Sequence, residues 1–259
     1  MDNKPSYDLL GNIAIVKFSP GTKAGEKKKF AEDFLKKHKS VRTVLEKVGK
    51  FKGRLRKQET KWIAGEKTKE ALYRENGCVF RFNVDKTYFS PRLSNERKEM
   101  ASKIKKGDEI LVMCAGVAPY SIVIAKNSKV KEVFSNEINR EANKYAKLNI
   151  ELNKLRGKVF LLPGDIKKVA PRLKKKFDVI VMARPQLKDT FLKEAFSLSG
   201  KGTRIFYYDF CKQDEIDSVV EKVKREARIA RKKIKILNAK VAGEIGPYRV
   251  RVRIDFKIV

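Results

Sequence analysis

The stretch from Gly107 to Asn139, GDEILVMCAGVAPYSIVIAKNSKVKEVFSNEIN, constrains the fold of this chain more than any other. An apolar run, Ile110 to Met113, meets a turn of small residues, Ala115-Gly116-Val117-Ala118. A helical pattern follows, and a second strand, Lys131 to Ser135, leads to Glu137. A β-turn-α-β-acid unit of this kind has the physics of a nucleotide site. Small residues let the backbone approach a ligand, the helix start offers free N–H groups, and an acid about 20 residues further on accepts hydrogen bonds from ribose hydroxyls. Glu137 stands at about that spacing from Gly116. Ala118 occupies the place of a second glycine, and the first strand ends Val112-Met113-Cys114 with no carboxylate. The unit alone therefore fits an ordinary buried βαβ crossover equally well.

The alternation continues beyond it. A helix is predicted over Arg140–Asn153, then a strand over Val159–Leu162 with Pro163-Gly164-Asp165 at its end. A buried strand over Phe177–Met182 is followed by Ala183-Arg184-Pro185, a helix over Asp189–Ser199 and a strand over Thr203–Asp209. A long basic helix, Gln213–Arg231, and strands Ile234–Val241 and Arg249–Ile258 close the chain. This pattern predicts an α/β fold with a doubly wound, mainly parallel sheet whose last strands are antiparallel. Ligands collect beyond the carboxyl ends of such strands, where Gly116, Glu137, Asp165 and the Ala183–Pro185 turn converge. Singly each has a plain alternative: Gly164-Asp165 is a common turn, and Pro185 can merely stop a strand.

Ahead of this unit the pattern is that of a small α+β module. Tyr7–Phe18 is predicted as a strand with a turn at Leu10-Gly11-Asn12, and Lys23–His38 as an amphipathic helix with a basic outer face. Strands follow at Val41–Val48, Lys61–Ala64, Glu70–Asn76 and Cys78–Asn83. Between two of them runs Gly49-Lys50-Phe51-Lys52-Gly53-Arg54-Leu55-Arg56-Lys57. This run is either a solvated turn or an RNA surface, where Phe51 would stack on bases and the cations would meet phosphate. Pro91 favours an extended residue before it, and Ser94 is placed to cap a helix over Asn95–Ile104.

Lys and Arg number 62 against 31 Asp and Glu, a net charge of +31 over 259 residues. Lys and Glu enrichment for heat resistance accounts for many charges but not for a two-fold excess of one sign, which points to a polyanionic partner. Nucleic acid comes first; an anionic membrane comes second, without a polybasic amphipathic segment to support it. The three cysteines form no CxxC, imply neither a disulfide framework nor a metal site, and suit a reducing cytoplasm. No stretch approaches the ~20 apolar residues of a membrane span.

Several runs resemble the archaeal and eukaryotic tRNA (guanine-37 N1) methyltransferases. They are Tyr73-Arg74-Glu75-Asn76-Gly77-Cys78, Asp85 to Arg97 with its Tyr88-Phe89-Ser90-Pro91-Arg92-Leu93-Ser94-Asn95-Glu96-Arg97, Ala115 to Tyr120, Glu137-Ile138-Asn139, Leu148-Asn149, and the ending Tyr248 to Phe256. The resemblance covers nearly the whole chain. It implies a small α+β tRNA-contacting domain, residues 1–89, ahead of a Rossmann-like, S-adenosylmethionine-dependent methyltransferase domain, residues 90–259. The substrate implied is the tRNA anticodon loop, and the enzyme is expected to be monomeric, cytoplasmic and independent of metal. Many relatives carry a further N-terminal domain that grips the tRNA elbow. This chain starts at what resembles the second domain, so that grip is expected to be missing or supplied otherwise.

Residue by residue, Glu96 aligns with the family's general base. Arg56 aligns with the arginine that stabilises negative charge on guanine O6, with Arg54 the nearby alternative, and Arg92 joins them as catalytic. The implied cofactor-binding set is Cys114, Gly116, Ala118, Pro119, Glu137, Ile138, Asp165, Ile166, Ala183 and Pro185. Glu137 would hold the ribose and Asp165 the adenine end. Relatives have Asn-Leu-Pro or Asn-Pro-Pro where this chain has Ala183-Arg184-Pro185, so an amide that could orient the base is gone. That departure suits a changed base, the tricyclic wyosine precursor methylated at C7. An aminocarboxypropyl transferase and a non-catalytic tRNA binder are the alternatives.

Overall fold

The computed structural model describes residues 5–49 and 51–259; residues 1–4 and Lys50 of the basic run lie outside the described residues. Among the described residues, thirteen strands and seven α-helices follow one another as β1 (Ser6–Leu10), β2 (Ile13–Lys17), α1 (Ala24–Lys37), β3 (Thr43–Lys47), β4 (Thr60–Gly65), β5 (Glu70–Glu75), β6 (Cys78–Asn83), α2 (Ser94–Ser102), β7 (Glu109–Met113), α3 (Pro119–Asn127), β8 (Glu132–Glu137), α4 (Arg140–Leu152), β9 (Val159–Pro163), α5 (Ile166–Val169), β10 (Phe177–Met182), α6 (Leu192–Ser197), β11 (Ser199–Lys212), α7 (Ile216–Ile229), β12 (Ile234–Gly246) and β13 (Arg249–Ile258).

Seven strands form one sheet in the order β12-β13-β11-β10-β7-β8-β9. Strands β7 to β11 are parallel, and β13 and β12 add to them antiparallel, as the sequence pattern predicts. The unbroken apolar run of β7 is explained by burial on both faces. Ile110 and Val112 pack with α3 and α4, whereas Leu111 and Met113 pack with α6 and α7. The strand order reverses at β7, with β8 and β9 on one side and β10 and β11 on the other. That reversal opens a crevice beyond the carboxyl ends of the strands.

The amino-terminal sheet, β1-β2-β3-β4, carries α1 on one face, where Phe34 and Ala31 meet Ala14, Val16, Val44 and Ala64. Its other face, with Ile13, Ile15 and Leu45, joins the core of the large sheet through the β5–β6 hairpin, whose Phe80 and Phe82 are buried there. The outer edge of β6 is satisfied by two side chains, Asn149 of α4 and Asn153 at its C-cap. The Asn153 side chain accepts from Val79 N–H (2.9 Å) and donates to Val79 O (2.7 Å), and Asn149 does the same at Arg81 (2.7 and 3.1 Å). These two side chains thus act as a missing strand, and they explain why Asn recurs at i and i+4 at the end of α4 and its C-cap.

The first predicted strand is a hairpin, because Gly11 turns the chain at φ 62°. Its turn docks onto β5, where Asn12 Oδ1 accepts the Leu72 N–H at 2.7 Å. A Cβ on Gly11 would lie 1.8 Å from the Leu72 carbonyl oxygen. Gly11→Ala is therefore expected to destabilise the protein by about 3 kcal/mol or more, since left-handed strain of ~1–2 kcal/mol adds to a backbone overlap that only separation of two elements relieves. Chemical denaturation would read this, and a change below about 1 kcal/mol would contradict the docking.

Two local expectations change. Ser94 does not cap α2: the helix continues from a 3-10 turn at Pro91–Leu93, and the Ser94 hydroxyl accepts from Asn76 Nδ2 at 3.3 Å. The helix over Asp189–Ser199 is only Leu192–Ser197, because the Arg184 side chain takes the carbonyls of Leu187 and Asp189 and winds the preceding segment into a loop.

Candidate active site

A cavity of about 310 Å³ occupies the crevice. Its floor is the strand ends: Cys114, Gly116 and Pro119 after β7, Glu137 and Ile138 at β8, Asp165 and Ile166 after β9, and Ala183 and Pro185 after β10. Its roof is the Arg54-Leu55-Arg56 loop between β3 and β4, with Tyr88, Phe89 and Ser90. Asn139 joins roof to floor, donating through Nδ2 to Lys86 O (2.8 Å) and Leu55 O (3.2 Å).

The turn after β7 is tightly wound, with Cys114, Gly116 and Ala118 all at positive φ. Gly116 is the position where space matters, since a Cβ there would reach the Tyr88 carbonyl at 3.4 Å. Its N–H donates to Glu137 Oε2 (2.7 Å), and Asn139 N–H donates to Oε1 (2.7 Å). Burial pushes the Glu137 carboxyl above its usual range, against the pull of the Asn139, Gly116 and Ile138 N–H groups. Each oxygen keeps acceptor capacity for a ribose hydroxyl. For Asp165 burial also opposes ionisation, but the Lys167 N–H and the Arg54 guanidinium (2.9 Å) outweigh it and hold the carboxyl below its usual range. Burial, with Glu137 adding, pushes the Cys114 thiol up to about 12, so it is a neutral packing group.

The two candidate roof arginines differ. Arg54 is paired with Asp165, whereas Arg56 stacks over Phe51 (5.2 Å) and Tyr88 (4.9 Å), and its buried Nε has no hydrogen-bond partner among the described residues. The geometry leaves Arg56, not Arg54, available to an anionic oxygen.

Three of the expected site residues do not line the cavity. Ala118 is fully buried beneath the turn. Arg92 is corrected: its side chain lies on the surface, paired with Asp8 at 2.7 Å, outside the cavity. Glu96 sits behind the wall in a charge network. It accepts from Tyr208 Oη (2.6 Å) and from Arg253, which also binds Glu99 (2.8 Å) and Asp255 (2.6 Å). Lys240 lies 3.7 Å from Glu96 and Lys103 3.7 Å from Asp255, so three carboxylates face three cations. Burial would raise Glu99, but its bonds to Lys240 and Arg253 hold it at about 2. Burial keeps the Tyr208 hydroxyl protonated as a donor. The Tyr208 ring lies 5.8 Å from that of Tyr120, which does line the cavity.

The Tyr88–Arg97 motif is held by its last residue. Arg97 is buried, bonds both oxygens of Glu75 and the Ser90 carbonyl (3.0 Å), and stacks on Phe89 (5.0 Å). Sequence reasoning missed the cavity residues Phe210, Ile245 and Arg251 on the last strands. Their signal was a strand, Arg249 to Asp255, in which every second residue is charged although its position calls for burial.

The TRM5/TYW2 methyltransferase domain matches residues 71–237, and the TYW2 N-terminal domain matches residues 2–68. The chain belongs to the TRM5/TYW2 methyltransferase family. It is 35% identical to tRNA (guanine(37)-N(1))-methyltransferase Trm5b of Pyrococcus abyssi over 98% of this chain and 74% of that one. It is 33% identical to tRNA (guanine(37)-N(1))/4-demethylwyosine(37)-methyltransferase Taw22 of Nanoarchaeum equitans, over 98% of this chain and the full length of that one. The crystal structure of Pyrococcus abyssi Trm5b superposes with a TM-score of 0.86 at 34% identity, covering 98% and 74% of the two chains. A complex of aTrm5 with tRNALeu superposes at 0.84 with 28% identity, covering 98% and 72%. Membership in the TRM5/TYW2 family makes the protein a methyltransferase, and no helix of the described residues is long and apolar enough to cross a membrane.

Proposed function

We propose that this TRM5/TYW2 methyltransferase transfers a methyl group from S-adenosylmethionine to N1 of guanosine 37 in tRNA. The observation that carries the reading is the cavity wall in which Glu137 and Asp165 on the strand ends face an unpaired, stacked Arg56 on the roof. The donor set suits an adenosyl group. Glu137 accepts from ribose hydroxyls, and the Gly116 and Pro119 backbone gives room for the chain beyond. Bound S-adenosylmethionine supplies a methyl group on a cationic sulfonium.

The other groups act on the acceptor. Guanine N1 must lose its proton as it is methylated, and Glu96, oriented by its bonds to Tyr208 and Arg253, is the base. Arg56, packed against the Phe51–Tyr88 aromatic pair, offsets the negative charge left on O6. The target base leaves the anticodon-loop stack to reach them. The small domain, residues 1–89, holds the roof loop over the site.

Ala183, with no amide to read the base edge, favours a second acceptor, C7 of the tricyclic wyosine precursor. The dual name of the full-length Nanoarchaeum relative supports it. Transcripts that differ only at position 37 test the site: methyl label should enter the one with guanosine and not the one with adenosine. Equal labelling of both overturns the position.

A further inference from the structure

Five arginines line the cavity, and three are neutralised: Arg54 by Asp165, Arg97 by Glu75 and Arg184 by Asp209. The other two, Arg56 and Arg251, make no ion pair among the described residues, and the Nε of each is buried without a partner. Arg56 belongs to the roof and is already used. Arg251 comes from the opposite wall, stacked 4.9 Å over Phe210, its neighbour in the β11–β13 register, with Ile245 of β12 beside it.

Its position along the strand is informative. Residues two apart on β13 point the same way, about 7 Å apart. Arg253 and Tyr208, which hold Glu96, are therefore one such step from Arg251 and Phe210 on the same face. Arg251 thus stands beside the acceptor end of the cavity, away from the rim that carries Glu137 and Asp165. Outward, the hairpin continues to Arg249 and to Tyr248, which is 84% exposed at the tip. A polyanion leaving the cavity by this wall would meet a cation and an aromatic ring in succession.

We infer that Arg251 binds a backbone phosphate of the nucleotide whose base enters the cavity, so that the β12–β13 hairpin captures the extruded nucleotide. The inference rests on the proposed RNA acceptor. Arg251 is half-buried, but its Nε is shut off from water without a partner, an arrangement that an anion at the guanidinium would complete, and its fork matches two phosphate oxygens. A carboxylate of the methionine moiety offers the same chemistry, and the test separates the two.

Binding of unmodified tRNA is measured at several salt concentrations for the wild type, Arg251→Gln and Arg251→Lys, with S-adenosylmethionine affinity measured in parallel and the melting temperature as a check on folding. Arg251→Gln should weaken tRNA about 5- to 10-fold near 0.1 M salt and reduce the salt slope by about 0.7 to 1, whereas Arg251→Lys keeps the slope. Cofactor affinity should change less than about two-fold. Loss of cofactor affinity with an unchanged slope overturns the inference in favour of the carboxylate, and no change in either overturns it outright. A wild type that binds tRNA but does not methylate position 37 overturns the functional reading alone, and the slopes still decide this one.

Discussion

Glu96→Gln is expected to slow methyl transfer by about 10³-fold while leaving tRNA affinity within about two-fold. Glutamine keeps the shape and can still accept from Tyr208, but it cannot take the N1 proton. Its amide would face Arg253, which retains Glu99 and Asp255, so the fold should survive with a modest fall in melting temperature. Single-turnover transfer, measured beside tRNA binding and thermal unfolding, separates chemistry from stability. Unchanged transfer would leave Glu96 with a purely structural place in the network and remove it as the base.

Arg56→Ala should lower the transfer step by about 10²- to 10³-fold, the usual loss on removing one donor to a developing oxyanion. Arg56→Lys should recover little of it. The guanidinium packs against the edge-to-face pair of Phe51 and Tyr88, and an ammonium keeps the charge but not the aromatic contact of the planar group or the paired donors. Arg54→Ala should act differently, weakening cofactor binding through Asp165 rather than the transfer step. A loss of cofactor affinity in Arg56→Ala with normal transfer at saturation would contradict this division.

The parallel sheet was legible because burial on both faces writes itself as unbroken apolar runs, such as Ile110–Met113. The rim was legible because strand ends carry their loops to one side. The roof was legible only through family likeness: nothing in Gly49–Lys57 says that Asn139, more than 80 residues away, will pin Leu55 over the strand ends. The Asp189–Ser199 helix failed for a related reason. A local apolar period cannot reveal that Arg184, fully buried, takes the Asp189 carbonyl at the start of the predicted helix and the Leu187 carbonyl just ahead of it. Arg92 and Arg251 illustrate the same limit. The conspicuous motif arginine pairs with Asp8 on the surface, while the one in a plain terminal strand lines the cavity. In both cases the deciding partner is distant in sequence.

The most direct test of the account is nucleoside mass spectrometry of tRNA incubated with the protein and methyl-labelled S-adenosylmethionine, using one substrate with guanosine 37 and one with the tricyclic precursor there. The account predicts label in N1-methylguanosine from the first, with label on C7 of the tricycle from the second if Ala183 has opened the site to it. Tight tRNA binding without label in either nucleoside would contradict it.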